Sequence, residues 1–242
     1  MINPISISNG FGYRLYDDRN KTMRIVREVN PSGIELVFIT PEMLDQFHID
    51  KDVAEYLTTL PFVTIHAPTS GIIYGRNNQT ERLFRKLRDL YLQIGAKNVT
   101  IHPDLVEDFS VFADQGMQFS VENNDNRKAF GQKTEEIAGY LKQNKDLGFT
   151  FDFAHAYQVN PDLVDDFLKL KDRIRQVHLS LMDNRLKEHV FLFNNQSPNL
   201  RKKLSILKEE LDEYIPLVFE CVALFKTDIP LLQKEIDFIH EF

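Results

Sequence analysis

Six positions in this 242-residue chain put an imidazole or a carboxylate at or near the end of a short apolar run. His66 closes FVTIH, His102 closes NVTIH, Glu122 closes QFSVE and Asp152 closes FTFD, while His178 and Glu220 sit late in IRQVHL and PLVFEC. One such residue alone is more often a hydrogen-bonded structural group or a helix cap than a ligand. Six in register call for another explanation. An unpaired buried carboxylate is costly, and three that face one another repel unless protonated or bridged by a cation. A divalent metal removes that repulsion. Imidazole and carboxylate without thiolate suit Zn2+, Mn2+, Fe2+ or Co2+ better than Ca2+ or Cu+. Zn2+ is the expected ion, with Mn2+ or Mg2+ as alternatives. His155, three residues beyond Asp152 in FDFAHAY, and His189, in the long segment 180–198, extend the set. His48 and His240 stand outside it.

These residues need elements that bring them together. Eight short runs rich in Val, Ile and Phe read as strands buried on both faces: 5–8, 34–39, 62–66, 98–102, 118–122, 149–152, 174–179 and 216–221. Amphipathic helical patterns alternate with them, among them 50–60, 81–94, 134–145, 161–170, 200–214 and 230 to the C-terminus. Asn160-Pro161 and Ser197-Pro198 read as helix starts, and Gly95 and Gly148 as helix stops. Eight strands alternating with helices predict a single (β/α)8 barrel over residues 1–242, with an open doubly wound sheet as the alternative. NGFGYRL holds Gly10 and Gly12 but lacks the third glycine of a dinucleotide-binding turn. In a barrel the C-terminal strand ends converge on one face, where active sites are built.

Hydrophobic content of 43% and charged content of 27% fit a globular domain with a substantial core. No apolar run reaches the ~18 residues of a membrane span, and the N-terminal residues do not read as a secretory signal. Cys221 is the single cysteine, so no intrachain disulfide forms and a cytoplasmic setting is expected. A net charge of −7 gives no global attraction to nucleic acid. The basic clusters in ERLFRKLRDLYLQ and NLRKKLSILKEEL read as solvated helix faces. No protein partner is inferable.

The ordered elements FVTIHAP, NVTIHPD, FSVENN, FDFAHAY, VHLS and VFEC resemble those of the xylose isomerase-like TIM barrels, most closely the endonuclease IV branch (AP endonuclease family 2), over residues 23–222. The resemblance implies that Glu122 bridges two metals, that His66 and His102 join it at the first, and that Asp152, His178 and Glu220 complete the second. It implies a third ion on His155 and on an aspartate–x–histidine pair. Here that pair reads Lys187-Glu188-His189: His189 matches, Lys187 stands where the aspartate belongs and can take part of its charge role, and Asp183 or Glu188 are the candidate substitutes. Tyr74 and Arg76 in GIIYGRNN are candidate contacts to substrate. The activity implied is hydrolysis at abasic sites in DNA by a metal-bridging hydroxide, with Glu122 positioning or deprotonating it. The alternative is a sugar isomerase or epimerase using one metal on Glu122, Asp152, His178 and Glu220. A non-catalytic metal-binding barrel is a third class.

Overall fold

The computed structural model describes residues 3–183 and 185–242. The strands are β1 (Ile5–Ser8), β2 (Gly33–Val37), β3 (Phe62–His66), β4 (Asn98–Ile101), β5 (Phe119–Glu122), β6 (Gly148–Asp152), β7 (Ile174–Leu179), β8 (Leu181–Asp183), β9 (Glu188–Val190) and β10 (Leu217–Phe219). Eight of them close a parallel barrel in the order β1-β10-β7-β6-β5-β4-β3-β2, and β8 and β9 form a separate antiparallel hairpin. The helices are α1 (Arg19–Arg27), α2 (Pro41–Gln46), α3 (Lys51–Thr59), α4 (Asn78–Ile94), α5 (Thr134–Gln143), α6 (Phe153–Val159), α7 (Leu163–Leu168), α8 (Pro198–Glu210) and α9 (Leu231–His240). Between β4 and β5 the chain uses two short 3-10 turns in place of an α-helix.

The strands alternate rather than being apolar on both faces. Ile5, Ile7, Ile34, Leu36, Val63, Ile65, Val99, Ile101, Phe149 and Phe151 are buried in the main hydrophobic core. The residues between them are Ser6, Ser8, Glu35, Thr64, His66, Thr100 and Thr150, also buried but polar. In a strand such neighbours face opposite sides, so the lumen is lined by the polar set. Hydrogen bonds between non-adjacent strands show this. Gln176 of β7 donates to Glu35 of β2 at 2.6 Å, and the hydroxyls of Thr100 on β4 and Thr150 on β6 are 3.0 Å apart. Barrel interiors are ordinarily packed with branched aliphatics; here the cross-strand network takes their place.

Local signals account for most helix limits. Ser197 caps α8 by accepting from the Leu200 amide, with Pro198 in the first turn. Gly95 ends α4 in the left-handed conformation at φ 65°. Gly148 instead opens β6, and a Cβ there would lie 2.4 Å from Arg175 Cγ. Asn160-Pro161 precedes α7, whose own N-cap is Asp162. The segment 180–198, the longest without a regular pattern, holds the β8–β9 hairpin and a 3-10 turn at Leu192–Asn194.

Candidate metal centre

The β3, β4 and β5 ends carry His66, His102 and Glu122 to the C-terminal mouth of the barrel. Both histidines converge on one oxygen: His66 Nε2 lies 2.9 Å and His102 Nε2 3.0 Å from Glu122 Oε2. The other carboxylate oxygen faces the opposite way, with His178 Nδ1 at 3.0 Å from Glu122 Oε1. His178 Nδ1 is also 3.2 Å from Glu220 Oε2. Ligand-capable atoms of Glu122, Asp152, His178 and Glu220 lie within 4.8 Å of one another, as do those of His66, His102 and Glu122, and those of Asp152, His155 and His189. His66, His178 and Glu220 form a further such group, so Glu122, Asp152, His66, His178 and Glu220 each belong to two groups.

Asp152 shows how a helix cap and a free donor oxygen coexist in one carboxylate. It is the N-cap of α6, and Oδ1 accepts from the His155 amide at 2.6 Å. Oδ2 is buried and has no hydrogen-bond partner among the described residues. Because α6 starts at once, His155 stands one helical turn from Asp152, its Nδ1 3.6 Å from Asp152 Oδ2. The β8–β9 hairpin folds over this point and brings the His189 ring to 5.4 Å from that of His155.

The electrostatics describe mutual compensation. Burial pushes the Asp152 carboxyl well above its usual range, and the charges of Glu122 and Glu220 push it further. Burial would also raise Glu122 and Glu220, but facing histidines reverse it: Glu122 is held well below its usual range, and Glu220 falls to about 2. His66 is pushed down by burial yet raised to about 9 overall by Glu122. Burial likewise opposes charge on His178, but Glu220, Glu35 and Glu122 hold it well above its ordinary value. Burial keeps His155 down at about 4 and also lowers His189. Three carboxylates and a set of imidazoles with one orphaned carboxylate oxygen form a donor set that fits a divalent cation.

The expected residues His66, His102, Glu122, Asp152, His155, His178, His189 and Glu220 are thus brought together. Tyr74, Arg76 and Lys187 are not. Tyr74 is fully buried, with its hydroxyl donating to the Pro68 carbonyl at 3.0 Å and its ring stacked on Phe84. Arg76 is exposed and pairs with Asp108 at 2.8 Å, away from the mouth cavity. Lys187 lies at the exposed turn of the β8–β9 hairpin with φ 59°, outside the residues that line that cavity. Nor do Asp183 and Glu188 replace the absent aspartate. Asp183 accepts from the Arg185 and Leu186 amides, and Glu188 binds Tyr13 at 2.6 Å and Arg14. Asp152 is the carboxylate that joins His155 and His189.

The mouth opens into a cavity of about 710 Å³ whose rim carries Arg127, Lys128 and Tyr13. Arg127 is held by Asp125, at 2.6 Å through Nε, and Lys128 by Asp104 at 2.6 Å. The sequence shows NDNRK only as a polar loop after β5, with no period to place it over the site. A neighbouring cavity of about 510 Å³, lined by Tyr16, Met43 and Phe47, shares the walls Gly10, Tyr13, Val37 and Ile39 with the first.

No family model and no curated protein matches the chain. Solved structures do. Endonuclease IV from Thermus thermophilus is 15% identical, with a TM-score of 0.68 over 100% of both chains. AP endonuclease, family 2 from Brucella melitensis is 16% identical, with a TM-score of 0.68 over 95% of this chain and 97% of its own. D-allulose 3-epimerase from Methylomonas sp. is 15% identical, with a TM-score of 0.69 over 99% and 97%. At these identities the likeness establishes the fold alone, a (β/α)8 barrel.

Proposed function

We propose that this protein is a divalent-metal-dependent phosphodiesterase acting at abasic sites in DNA, with Zn2+ as its ion. The observation that carries the reading is the division of Glu122: one oxygen faces His66 and His102, the other faces His178. A carboxylate so placed could serve two ions, and the His66–His102 pair supplies the donors that a second ion would need. Two ions at such a site would supply a nucleophile at neutral pH and positive charge for the attacked phosphate and departing oxygen. His66, His102 and Glu122 would hold one ion; Glu122, Asp152, His178 and Glu220 would hold the other. Arg127 and Lys128 stand on the rim, where they can orient a phosphate. The adjoining second cavity gives room beyond one sugar ring. The likeness to endonuclease IV and AP endonuclease, family 2 is consistent with this chemistry.

A second reading, a sugar isomerase or epimerase, is favoured by the Glu122–Asp152–His178–Glu220 group, which is complete without the two mouth histidines. The likeness to D-allulose 3-epimerase agrees with it. Metal analysis with an incision assay separates the two. The phosphodiesterase should bind two or more Zn2+ per chain and cut an oligonucleotide carrying one abasic site, and Glu122→Gln should abolish cutting with the fold retained. One ion per chain, with no incision across several metals and epimerisation of a ketose, would replace the first reading by the second.

A further inference from the structure

Three histidines of the centre have Nδ1 against an oxygen that can only accept. His66 faces the Ala67 carbonyl at 3.1 Å, His102 the Asn124 side-chain carbonyl at 3.0 Å and His155 the Asn123 backbone carbonyl at 2.8 Å. Asn124 is fixed in that sense because its amide nitrogen donates to the Phe130 carbonyl. Each ring therefore keeps its proton on Nδ1, and Nε2 is left bare in the neutral imidazole.

His178 is turned the other way round. Its Nδ1 faces Glu122 and Glu220, and its Nε2 points down the barrel at groups beneath the site. A neutral imidazole lends one nitrogen to an ion only if its proton sits on the other. For His178 that proton belongs on Nε2 and needs an acceptor. Glu35 Oε2 lies 3.3 Å from it. Glu35 is fully buried and does not line the mouth cavity. Thr64 Oγ1 and the Gln176 amide hold the same Oε2 at 3.1 and 2.6 Å, while Oε1 has no hydrogen-bond partner among the described residues. A buried carboxylate with no Lys or Arg paired to it among the described residues is costly, and its layer beneath the mouth otherwise uses neutral Ser, Thr, Asn and Gln. The Gln176 amide nitrogen lies 2.8 Å from His178 Nε2. Nε2 thus has one donor and one acceptor within reach. Gln176 can donate to it in the tautomer whose Nδ1–H bonds Glu122 or Glu220; Glu35 can accept from it in the tautomer that ligates.

We propose that Glu35 is a positioning residue of the metal centre: it accepts the Nε2–H of His178 and so fixes the ring and tautomer that leave Nδ1 bare toward the cation held with Glu122, Asp152 and Glu220. The inference rests on the metal-binding reading of this group and extends it one layer below the mouth. Carboxylate or carbonyl partners of this kind orient metal-bound histidines, and their loss typically weakens binding about 10- to 100-fold.

The test compares the full-length wild type with Glu35→Leu and Glu35→Gln. Zinc affinity is read by chelator competition, the His178 tautomer by ¹⁵N-histidine NMR of the zinc-loaded protein, and folding by circular dichroism. In the wild type His178 should carry its proton on Nε2 when zinc is bound. Glu35→Leu should lose about 10- to 100-fold in zinc affinity and shift the His178 ¹⁵N signals, leaving those of His66 and His102 in place. Glu35→Gln, which keeps a carbonyl acceptor, should lose less. A folded Glu35→Leu protein with wild-type affinity and an unchanged His178 pattern overturns the proposal. If Glu35→Leu does not fold, Glu35→Ala takes its place, and wild-type affinity with an unchanged His178 pattern in that variant overturns it. A wild type that binds no zinc at His178 removes the metal reading itself, and this inference with it.

Discussion

Asp152 sets its two carboxylate oxygens in different surroundings, and substitution separates the cap from the metal-binding role proposed for it. Oδ1 caps α6, while the unpartnered Oδ2 meets the negative field of Glu122 and Glu220. Its folded pKa is raised, so without a cation its ionisation at neutral pH works against the fold. Asp152→Asn keeps an N-cap-competent side chain and removes that charge. Its metal-free protein should melt at the same temperature as the wild type or a few degrees higher, while zinc affinity falls by orders of magnitude and the zinc-induced rise in Tm shrinks. Thermal scans with and without zinc check both signs, and unchanged metal content would contradict the assignment. The donors His66, His102, Glu122, Asp152, His178 and Glu220 are legible in the sequence because each lies at or beside the end of a barrel strand, whereas His155 and His189 are placed by α6 and the β8–β9 hairpin. Tyr74 is not, because GIIYGRNN shows no period, and its burial among Phe84, Phe112 and the Pro68 carbonyl comes from the fold around it.

Among the elements, β2 shows how the barrel places its deep polar groups. Gly33 pairs with Ser6 on one side and Phe62 on the other. A Cβ at Gly33 would lie 2.1 Å from the Phe62 carbonyl oxygen and 2.3 Å from Ser6 Oγ. The first of these is backbone and cannot swing aside. Gly33→Ala should therefore push β2 away from β3 and cost at least about 2 kcal/mol, as overpacking does, measurable by urea denaturation. Since Glu35 lies two residues on, zinc binding should weaken in the same variant. A wild-type denaturation midpoint would show that the strands yield more easily than their close approach implies. The run IELVFI reads as an apolar strand with one charged residue, and that residue, Glu35, follows the alternation of ISIS, FVTIH and FSVE. The signal is present in the period, but one charged residue in an apolar run does not reveal that the neighbouring strands turn polar groups to the same axis.

Across the whole molecule, α9 closes the chain against the loop that follows the β8–β9 hairpin. Glu235 on α9 is fully buried and accepts from the Leu192 and Phe193 amides at 2.7 and 3.2 Å. Burial outweighs those two bonds and raises its pKa from 4.5 to about 7. A raised carboxyl binds its proton more tightly in the folded state. Its stabilising effect is complete below pH 4.5 and is lost as pH rises through about 7. That window corresponds to about 3 kcal/mol at most. Glu235→Gln removes the titration. The stability of the variant relative to the wild type should therefore increase from pH 4.5 to pH 7 and level off above it, as calorimetric Tm values across that range would show. A difference independent of pH would mean that Glu235 stays ionised throughout.

The barrel is already written in the chain, because strand period, helix period and turn residues are local properties that repeat along it. So is the set of donors that gathers at the mouth, because in a parallel barrel every strand end points to one face and in-register residues must meet there. How those donors divide is a property of the folded molecule. The splitting of Glu122 between two groups, the recruitment of Asp152 beside His155 and His189, and the reach of Glu35 from β2 to His178 on β7 all depend on distances across the lumen. Those distances are set by strand tilt, register and close approaches such as that at Gly33, which no single segment encodes.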